Sequence, residues 1–183
     1  MESMMQFKAE YISLEDRLRL RIRKGETEFL VWLTRRYTKL LLEVLEKVSD
    51  ATEDKTEESE QKKEAVATER KKEAIKSFKR AAALKEADFK TKYKETPAER
   101  PLGEQPMLVS RINYSAEEDG KVKLNLISPE GKSVNINITQ EIVFMLIKLL
   151  GETSEKAEWG LGDRAASITT ASGKAEVDKG LLH

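Results

Sequence analysis

Two stretches of this chain switch abruptly from a strand pattern to a helix pattern at a threonine. The first covers Glu28–Val48 and the second covers Ser133–Leu150. In the first, Phe29–Leu33 is rich in aromatic and β-branched residues, which favour a half-buried strand. Thr34 follows, and its hydroxyl can accept a hydrogen bond from the unpaired N–H groups of a helix's first turn. A chain built on this switch has to form both sheet and helix.

Each switch leads into a helix with one apolar face. In both copies the apolar residues recur at the i, i+3, i+4 and i+7 spacing of such a face. Placing Thr34 on Thr139, the predicted cap of the second helix, superposes the two apolar patterns without a gap. The predicted faces consist of Tyr37, Leu40, Leu41, Val44, Leu45 and Val48 in the first helix and of Ile142, Met145, Leu146, Leu149 and Leu150 in the second.

Strand patterns precede each switch in the same order. Each alternating segment is followed by a turn that contains Gly25 or Gly131, and a further strand is expected upstream of it. We therefore predict an α+β protein made of a duplicated β-β-β-α unit, with antiparallel sheets and the two helices side by side on one face. Chance likeness between two hairpin-plus-helix segments is the alternative. The expected strands are Gln6–Ile12, Arg17–Arg23, Phe29–Leu33, Leu108–Tyr114, Lys121–Leu126 and Val134–Ile138.

Changes in composition divide the chain into four parts. The first unit is predicted over 6–48 and the second over 107–153. Between them, 49–106 is a charged insertion that ends in a proline-rich connector. The last part, 154–183, is predicted to be a disordered tail in which Trp159 folds back as an anchor.

The insertion is dominated by charged residues. Ser49–Glu60 is acidic and polar without an apolar period, and it is predicted to be a linker. Alanine, lysine and glutamate dominate Gln61–Tyr93, which favours a long exposed helix. Two alternatives stay open for this stretch, a basic arm that holds nucleic acid and a flexible connector.

Several classes of chemistry lack the residues that they need. The 183 residues include no cysteine, and the single histidine is the last residue, which argues against thiolate, His-triad and His-metal sites. Phosphate-binding and nucleophile-elbow glycine motifs are missing, and no carboxylate stands in an apolar stretch that would raise its pKa. We therefore expect a non-catalytic protein without cofactor or metal. No membrane span or export signal is found, so a cytoplasmic location is expected.

The most suggestive surface feature is a ladder of four arginines at alternating positions of one strand. Because alternate side chains share a sheet face, they can follow a phosphate backbone, with Arg35 and Arg36 nearby. The alternative, which we favour, is a solvated face whose arginines pair with Glu10, Glu26 and Glu28 on neighbouring strands. The residues predicted for a nucleic-acid contact are Arg17, Arg19, Arg21, Arg23, Arg35, Arg36, Lys71, Lys72, Lys76, Lys79 and Arg80.

Two short stretches resemble a group of short, uncharacterised bacterial proteins. They are Tyr11–Leu18, with the sequence Tyr-Ile-Ser-Leu-Glu-Asp-Arg-Leu, and the strand-to-helix element Trp-Leu-Thr-Arg-Arg at Trp32–Arg36. The resemblance lies in the first unit and reaches the second only through the predicted duplication. It implies a bacterial source and no known activity.

The sequence favours an interaction protein over an enzyme. Basic and acidic residues number 33 each, so the net charge names no partner. We expect a non-catalytic interaction or scaffold protein that binds a protein partner, or itself, through a sheet edge or the inserted helix. Each unit alone is too small to bury its apolar face well, which favours pairing of the units and a homodimer. The alternative is a protein that binds RNA or single-stranded DNA through the arginine ladder and the basic insertion.

Overall fold

The protein is α+β, with two β-sheets and two α-helices in the part of the chain that the structure describes. The structure is a computed structural model that describes residues 5–57, 74, 77–78, 81–82, 92–117 and 121–161, with the backbone alone for 51–57. In chain order the elements are β1 (Met5–Ile12), β2 (Arg17–Lys24), β3 (Thr27–Leu33), α1 (Arg35–Glu57), β4 (Met107–Leu108), β5 (Arg111–Ala116), β6 (Val122–Ile127), β7 (Ser133–Ile138) and α2 (Gln140–Lys156).

The first sheet has the strand order β1-β2-β3-β4. Strands β1, β2 and β3 form the predicted antiparallel meander, and the turn between β2 and β3 has Gly25 at a φ of 61°. Along β2, Leu18, Leu20 and Ile22 are buried and alternate with the arginines. The apolar face of this strand is therefore the one that its alternation predicts. The short strand β4 runs parallel to β3 at the other edge.

The second sheet has the order β5-β6-β7 and is antiparallel throughout. The chain enters it by changing sheets. The Val109 N–H donates to the Trp32 carbonyl of β3 at 3.0 Å, and the Ser110 N–H donates to the Ile127 carbonyl of β6 at 2.8 Å. The prediction of one strand over Leu108–Tyr114 is therefore wrong, because β4 belongs to the first sheet and β5 to the second. A strand pattern is local and does not specify which sheet a strand joins.

One core joins both sheets and both helices. Buried residues of β2, β3, β6 and β7 form a continuous apolar cluster with those of α1 and α2. The two helices pack against each other, as predicted. In addition, α1 packs on β5 and α2 packs on β1, so each helix contacts the outer strand of the other half's sheet. Neither half completes its core alone.

The buried faces of the helices are rotated from the predicted ones. In α1, Leu40 of the predicted face is exposed, whereas Leu42, which lies next to that face, is buried. In α2, Val143 and Ile147 are buried and the predicted Met145 lies at the margin. Neighbouring stripes on an apolar-rich helix share most of their positions, so the packing partners decide which stripe is covered.

The two threonines at the helix starts behave differently. The Thr34 Oγ1 accepts a hydrogen bond from the Tyr37 N–H at 3.4 Å, as predicted. Thr139 stands at the N-cap position of α2 with an extended backbone, but its hydroxyl makes no capping hydrogen bond. The prediction that Thr139 caps its helix is therefore correct in position and wrong in the bond.

Helix α1 extends further than predicted, and helix α2 reaches into the predicted tail. Helix α1 continues to Glu57 through much of the predicted linker 49–60. Helix α2 continues to Lys156 and ends in a Schellman motif: the N–H groups of Glu158 and Trp159 donate to the carbonyls of Glu155 and Ser154 at 2.9 and 3.0 Å. Trp159 is buried after this turn, so its predicted role as an anchor is confirmed.

Most of the predicted helical insertion, 61–93, and the end of the predicted tail, 162–183, lie outside the described residues. Of the insertion, the structure describes Ala74, Ser77, Phe78, Ala81 and Ala82, all in helical conformation, and then the chain from Lys92 onward. Within the described helices, none is long and apolar enough to cross a membrane.

Candidate functional site

The arginine ladder, Arg17, Arg19, Arg21 and Arg23, lies on the face of β2 opposite the core. Neighbouring strands supply carboxylates to it. The Arg19 Nη2 lies 2.8 Å from a Glu10 carboxylate oxygen on β1, and Arg17 lies 3.7 Å from Glu15. About a third of the Arg17 and Arg19 side chains is exposed. At this end of the ladder the guanidinium groups are paired but still reach solvent.

A later segment of the chain covers the other end of the ladder. We call Tyr93–Arg100 the strap. It lies along the outer edge of β3, where the Glu28 N–H donates to the Glu99 carbonyl and the Glu99 N–H donates to the Glu26 carbonyl, both at 2.8 Å. These bonds make a short parallel bridge between Thr27 and Glu99. The strap thus extends the edge that β4 continues further along β3.

Glu28 is the centre of the contacts between the strap and the sheet. Its side chain is 1 % exposed. Arg21 donates to Glu28 Oε1 through Nε and Nη2 at 2.9 and 2.7 Å, and the Tyr93 hydroxyl donates to the same oxygen at 2.6 Å. Arg100 donates to the other oxygen at 2.9 Å. One buried carboxylate therefore binds two guanidinium groups and a phenol.

These donors set the protonation of Glu28. Burial by itself raises the pKa of a carboxyl group, but hydrogen bonds from Tyr93, Arg21 and Arg100 outweigh it and lower the pKa of Glu28 to about 2. Burial and the adjacent carboxylate raise the pKa of the Tyr93 hydroxyl. Arg21 also lies against the Tyr93 ring, 4.6 Å from its centroid, and pairs with Glu95 at 2.7 Å. Glu28 is therefore an ionised carboxylate held by two guanidinium groups and a neutral phenol, which does not suit a proton-transfer group.

Arg23 is the most deeply buried arginine of the ladder, at 1 % exposure. Its guanidinium donates to the carbonyls of Gly25, Lys94 and Thr96 at 2.8 to 3.0 Å and to the Thr96 hydroxyl at 3.1 Å. It therefore satisfies backbone carbonyls of the strap, in a place where a phosphate has no access.

The pairs that the sequence suggested are present. Glu10 binds Arg19, Glu28 binds Arg21, and Glu26 lies 3.6 Å from Arg23. Sequence reasoning missed Tyr93, Glu95 and Arg100, because they lie about 70 residues after the strand that they cover and carry no motif. It also found no carboxylate in an apolar context, whereas folding buries Glu28 under its partners.

Arg35 and Arg36 lie apart from the covered end of the ladder, at the exposed start of α1. They line a groove of about 670 Å³ between α1 and the segment that follows α2. The groove is bordered by Arg35, Arg36, Lys39, Leu42, Glu43, Glu46, Trp159, Gly160 and Leu161. Of these, only Arg35 and Arg36 belong to the predicted nucleic-acid residues. Lys71, Lys72, Lys76, Lys79 and Arg80 lie outside the described residues.

Trp159 holds the far wall of the groove. Its Nε1 donates to Asp16 Oδ1 at 3.1 Å, and the Tyr11 hydroxyl donates to the same oxygen at 3.0 Å. The Trp159 and Tyr11 rings meet edge to face, with centroids 5.9 Å apart. Asp16, at a φ of 47° in the turn between β1 and β2, thus ties the end of α2 to the first sheet.

Known proteins give no further guidance to this site. Comparisons with models of protein families, with curated proteins and with solved structures find no match. Within the described ranges, no three His, Asp or Glu side chains are grouped so that they could hold a metal ion. The functional argument therefore depends on the geometry of the strap and the groove.

Proposed function

We propose that this protein is a non-catalytic interaction protein that binds a segment of a partner protein in the groove beside α1. The groove's volume of about 670 Å³ falls within the range of about 300–1,000 Å³ that is usual for binding sites. Its position between a helix and an anchored turn gives it two fixed walls. This groove is the observation that carries the proposal.

The charges of the groove follow one stripe of α1. Arg35, Arg36 and Lys39 are at one end, Leu42 is in the middle, and Glu43 and Glu46 are at the other end. Residues three and four apart share a helix face, and the stripe is about 16 Å long at 1.5 Å per residue. A complementary ligand has an acidic end, an apolar centre and a basic end. A peptide segment of a protein partner has this chemistry.

The start of α1 carries charges that oppose helix stability. It has two arginines and no acidic residue in its first turn. In contrast, α2 has Glu141 in its first turn and Lys156 in its last, which suits the helix dipole. A cation at a helix N-terminus costs about 0.3–1 kcal/mol. An unfavourable arrangement of this kind is expected where a residue serves binding rather than stability.

Nucleic-acid binding is our second candidate, and one observation favours it. Arg17 lies at the start of β2, beside the end of β3 from which Arg35 and Arg36 follow, so the exposed cations gather at one end of the first sheet. Against it, Arg21 and Arg23 are engaged by Glu28 and by the strap. A phosphate backbone would therefore meet only part of the predicted ladder.

A non-catalytic role fits the best-defined carboxylate of the described chain. Glu28 is buried, but its pKa is lowered to about 2 and its oxygens are occupied by Arg21, Tyr93 and Arg100. A general acid or base needs a pKa near the working pH and an accessible proton. The cytoplasmic location expected from the sequence remains part of this proposal.

We also propose that the two halves are copies of one β-β-β-α unit, separated by the charged insertion. Equivalent positions differ by about 105 residues, and the matching apolar positions of the central strands β2 and β6 are all buried. Adding 105 to Leu41, Leu42 and Leu45 of α1 gives three residues on the buried face of α2. The matched cross-strand rows are Phe7–Ile22–Phe29 with Ile112–Leu126–Val134, Ala9–Leu20–Val31 with Tyr114–Leu124–Ile136, and Tyr11–Leu18–Leu33 with Ala116–Val122–Ile138.

The binding proposal is tested with a labelled peptide that carries an acidic block, an apolar block and a basic block, and with a scrambled peptide of the same composition. Fluorescence anisotropy measures the Kd of each. The double variant Arg35→Glu, Arg36→Glu is expected to weaken binding of the block peptide about tenfold or more, since it replaces two attractions with repulsions. The matched control, Arg17→Glu with Arg111→Glu, makes the same charge change outside the groove and is expected to bind normally.

Equal affinity for the block and scrambled peptides, or an undiminished affinity in the groove variant, would contradict the proposal. A labelled single-stranded RNA is measured in parallel from about 50 to about 200 mM salt, where phosphate contacts make log affinity fall linearly with log salt. RNA binding with a steep slope, lost in the Arg17 control as well as in the groove variant, would replace the peptide proposal with the nucleic-acid one.

A further inference from the structure

The outer edge of β7 carries unpaired backbone groups. In the described part of the chain, β7 pairs only with β6 and forms the edge of the second sheet. The Ser128 N–H donates to the Lys132 carbonyl at 2.8 Å, and the register then aligns Val134 and Ile136 with Leu126 and Leu124. Hydrogen-bonded pairs alternate along an antiparallel ladder. Val134 and Ile136, whose side chains face the core, therefore form backbone hydrogen bonds with β6. The residues that alternate with them direct their N–H and C=O groups to the open edge.

Those outward residues are Ser133, Asn135 and Asn137. The equivalent positions of the first sheet are Glu28, Leu30 and Trp32, and there the edge is occupied. The Glu28 N–H donates to Glu99 of the strap, and the Trp32 carbonyl accepts from Val109 after β4. The same backbone geometry is thus used for strand pairing in one half of the molecule, whereas the described residues leave it open in the other.

The edge of β7 lacks the features by which exposed strands avoid pairing. Its sequence, Ser-Val-Asn-Ile-Asn-Ile, contains no charge and no proline. Of the other three edge strands, β1 and β5 carry charged residues, Lys8 and Glu10 in β1 and Arg111 in β5, and β4 is only two residues long. Charged side chains and proline are the usual protection of an edge strand. An edge without them is suited to a partner strand.

We propose that β7 pairs with β7 of a second copy of this chain, antiparallel and in a register centred on Asn135. In this register Asn135 is opposite Asn135 of the other copy, and Ser133 is opposite Asn137. Every outward N–H and C=O of the three residues then meets its complement, as an isologous two-fold interface requires. The result is a continuous six-stranded sheet that spans both copies.

The side chains agree with this register on both faces. On the core face, Val134 lies beside Ile136 of the second copy, so the apolar row of one sheet continues into the next. On the other face, Asn135 meets Asn135 and Ser133 meets Asn137, without like charges. The nearest charges in the chain are Lys132 before the strand and Glu141 after it, both exposed, and Lys123 of β6 is the cross-strand neighbour of Asn137. Antiparallel pairing brings the start of one strand to the end of the other, so opposite charges approach each other.

The first test is the oligomeric state of the full chain, by sedimentation velocity from about 1 to about 500 μM, because a dimer dissociates on dilution by mass action. We expect a concentration-dependent dimer. Asn135→Pro removes an outward N–H and leaves the bonds to β6 intact, so dimerisation is expected to weaken about tenfold or more. Asn135→Ala keeps the N–H and is expected to dimerise normally. Circular dichroism checks that both variants are folded.

A crosslinking test fixes the register and remains valid if the proline variant does not fold. The chain has no cysteine, so single substitutions can be oxidised without competing thiols. In Asn135→Cys the two Cα atoms would be about 5.5 Å apart, within the range for a disulfide. In Asn137→Cys they would be about 14 Å apart, since four residues separate them along the strand. We expect a covalent dimer of the first variant and not of the second.

Three results would overturn the proposal: a monomer at every concentration, a dimer that survives Asn135→Pro, or equal crosslinking at positions 135 and 137. A monomer would mean that the β7 edge pairs with another segment of the same chain or with a different protein. None of these outcomes bears on the α1 groove, so the peptide-binding proposal stands or falls separately.

Discussion

The strands β3 and β7 occupy the same place in the order of their halves, but their outer edges differ in whether another segment of the chain pairs with them. Each is the third strand of a meander and precedes a helix at a threonine. Along β3, the strap and β4 occupy the edge, and Glu28 binds Tyr93 and Arg100 of the strap. Along β7, the described residues leave the edge open, with Ser133 in the position of Glu28. Similar local sequence therefore gives a closed edge in one half and, among the described residues, an open edge in the other.

This difference has a cause in charge. The closed edge depends on a buried ionised cluster, in which the desolvation of Glu28 is offset by Arg21, Arg100 and Tyr93. The open edge has neutral side chains, which do not repel a second strand. The first edge holds one particular segment of the same chain, and the second is suited to a partner that brings only backbone groups and small polar side chains.

The largest effect is expected from breaking the closed edge at Glu28. Glu28→Gln removes the buried carboxylate that the half-buried Arg21 and Arg100 share, and we expect a loss of roughly 3 kcal/mol in the free energy of unfolding. Ser133→Ala, at the equivalent position of the second half, is expected to change it by less than about 0.5 kcal/mol. Urea denaturation measures both. A loss below about 1 kcal/mol for Glu28→Gln would show that the strap cluster adds little stability.

Acid is expected to act on the closed edge in the same way. The pKa of Glu28 is lowered from the ordinary 4.5 to about 2, so its contribution is fully present above pH 4.5 and is lost as pH falls from 4.5 through 2. This contribution is on the order of 3 kcal/mol. Urea midpoints measured across this window should fall steeply for the wild type and less for Glu28→Gln. Parallel slopes in the two proteins would assign the acid sensitivity to other groups.

The smallest effect compares the two threonines that begin the helices. Thr34 caps α1 through its hydroxyl, so Thr34→Ala is expected to cost about 1 kcal/mol. The Thr139 hydroxyl makes no capping bond, so Thr139→Ala is expected to cost only a few tenths of a kcal/mol. Thermal or urea unfolding of the pair measures the difference. Equal losses would mean that Thr139 caps its helix in solution as Thr34 does.

Much of the candidate site could be predicted from the sequence. The alternation of β2 placed the four arginines on one face, and the strand order placed Glu10 and Glu28 where they pair with Arg19 and Arg21. These contacts lie within one hairpin or between adjacent strands, so period and register are enough to predict them. The strap over Arg21 and Arg23 could not be predicted from the sequence, because it comes from a segment about 70 residues away.

The sequence by itself determined the local features of this protein: the period of its strands, the glycine turn after β2 and the cap at Thr34. These depend on contacts between near neighbours in the chain, where residue type and spacing act directly. Only the tertiary structure decided that the chain changes sheets at Val109, that each helix packs across the two halves, and that the strap closes one edge. Such choices depend on how distant surfaces compete for burial, and a one-dimensional pattern does not record that competition.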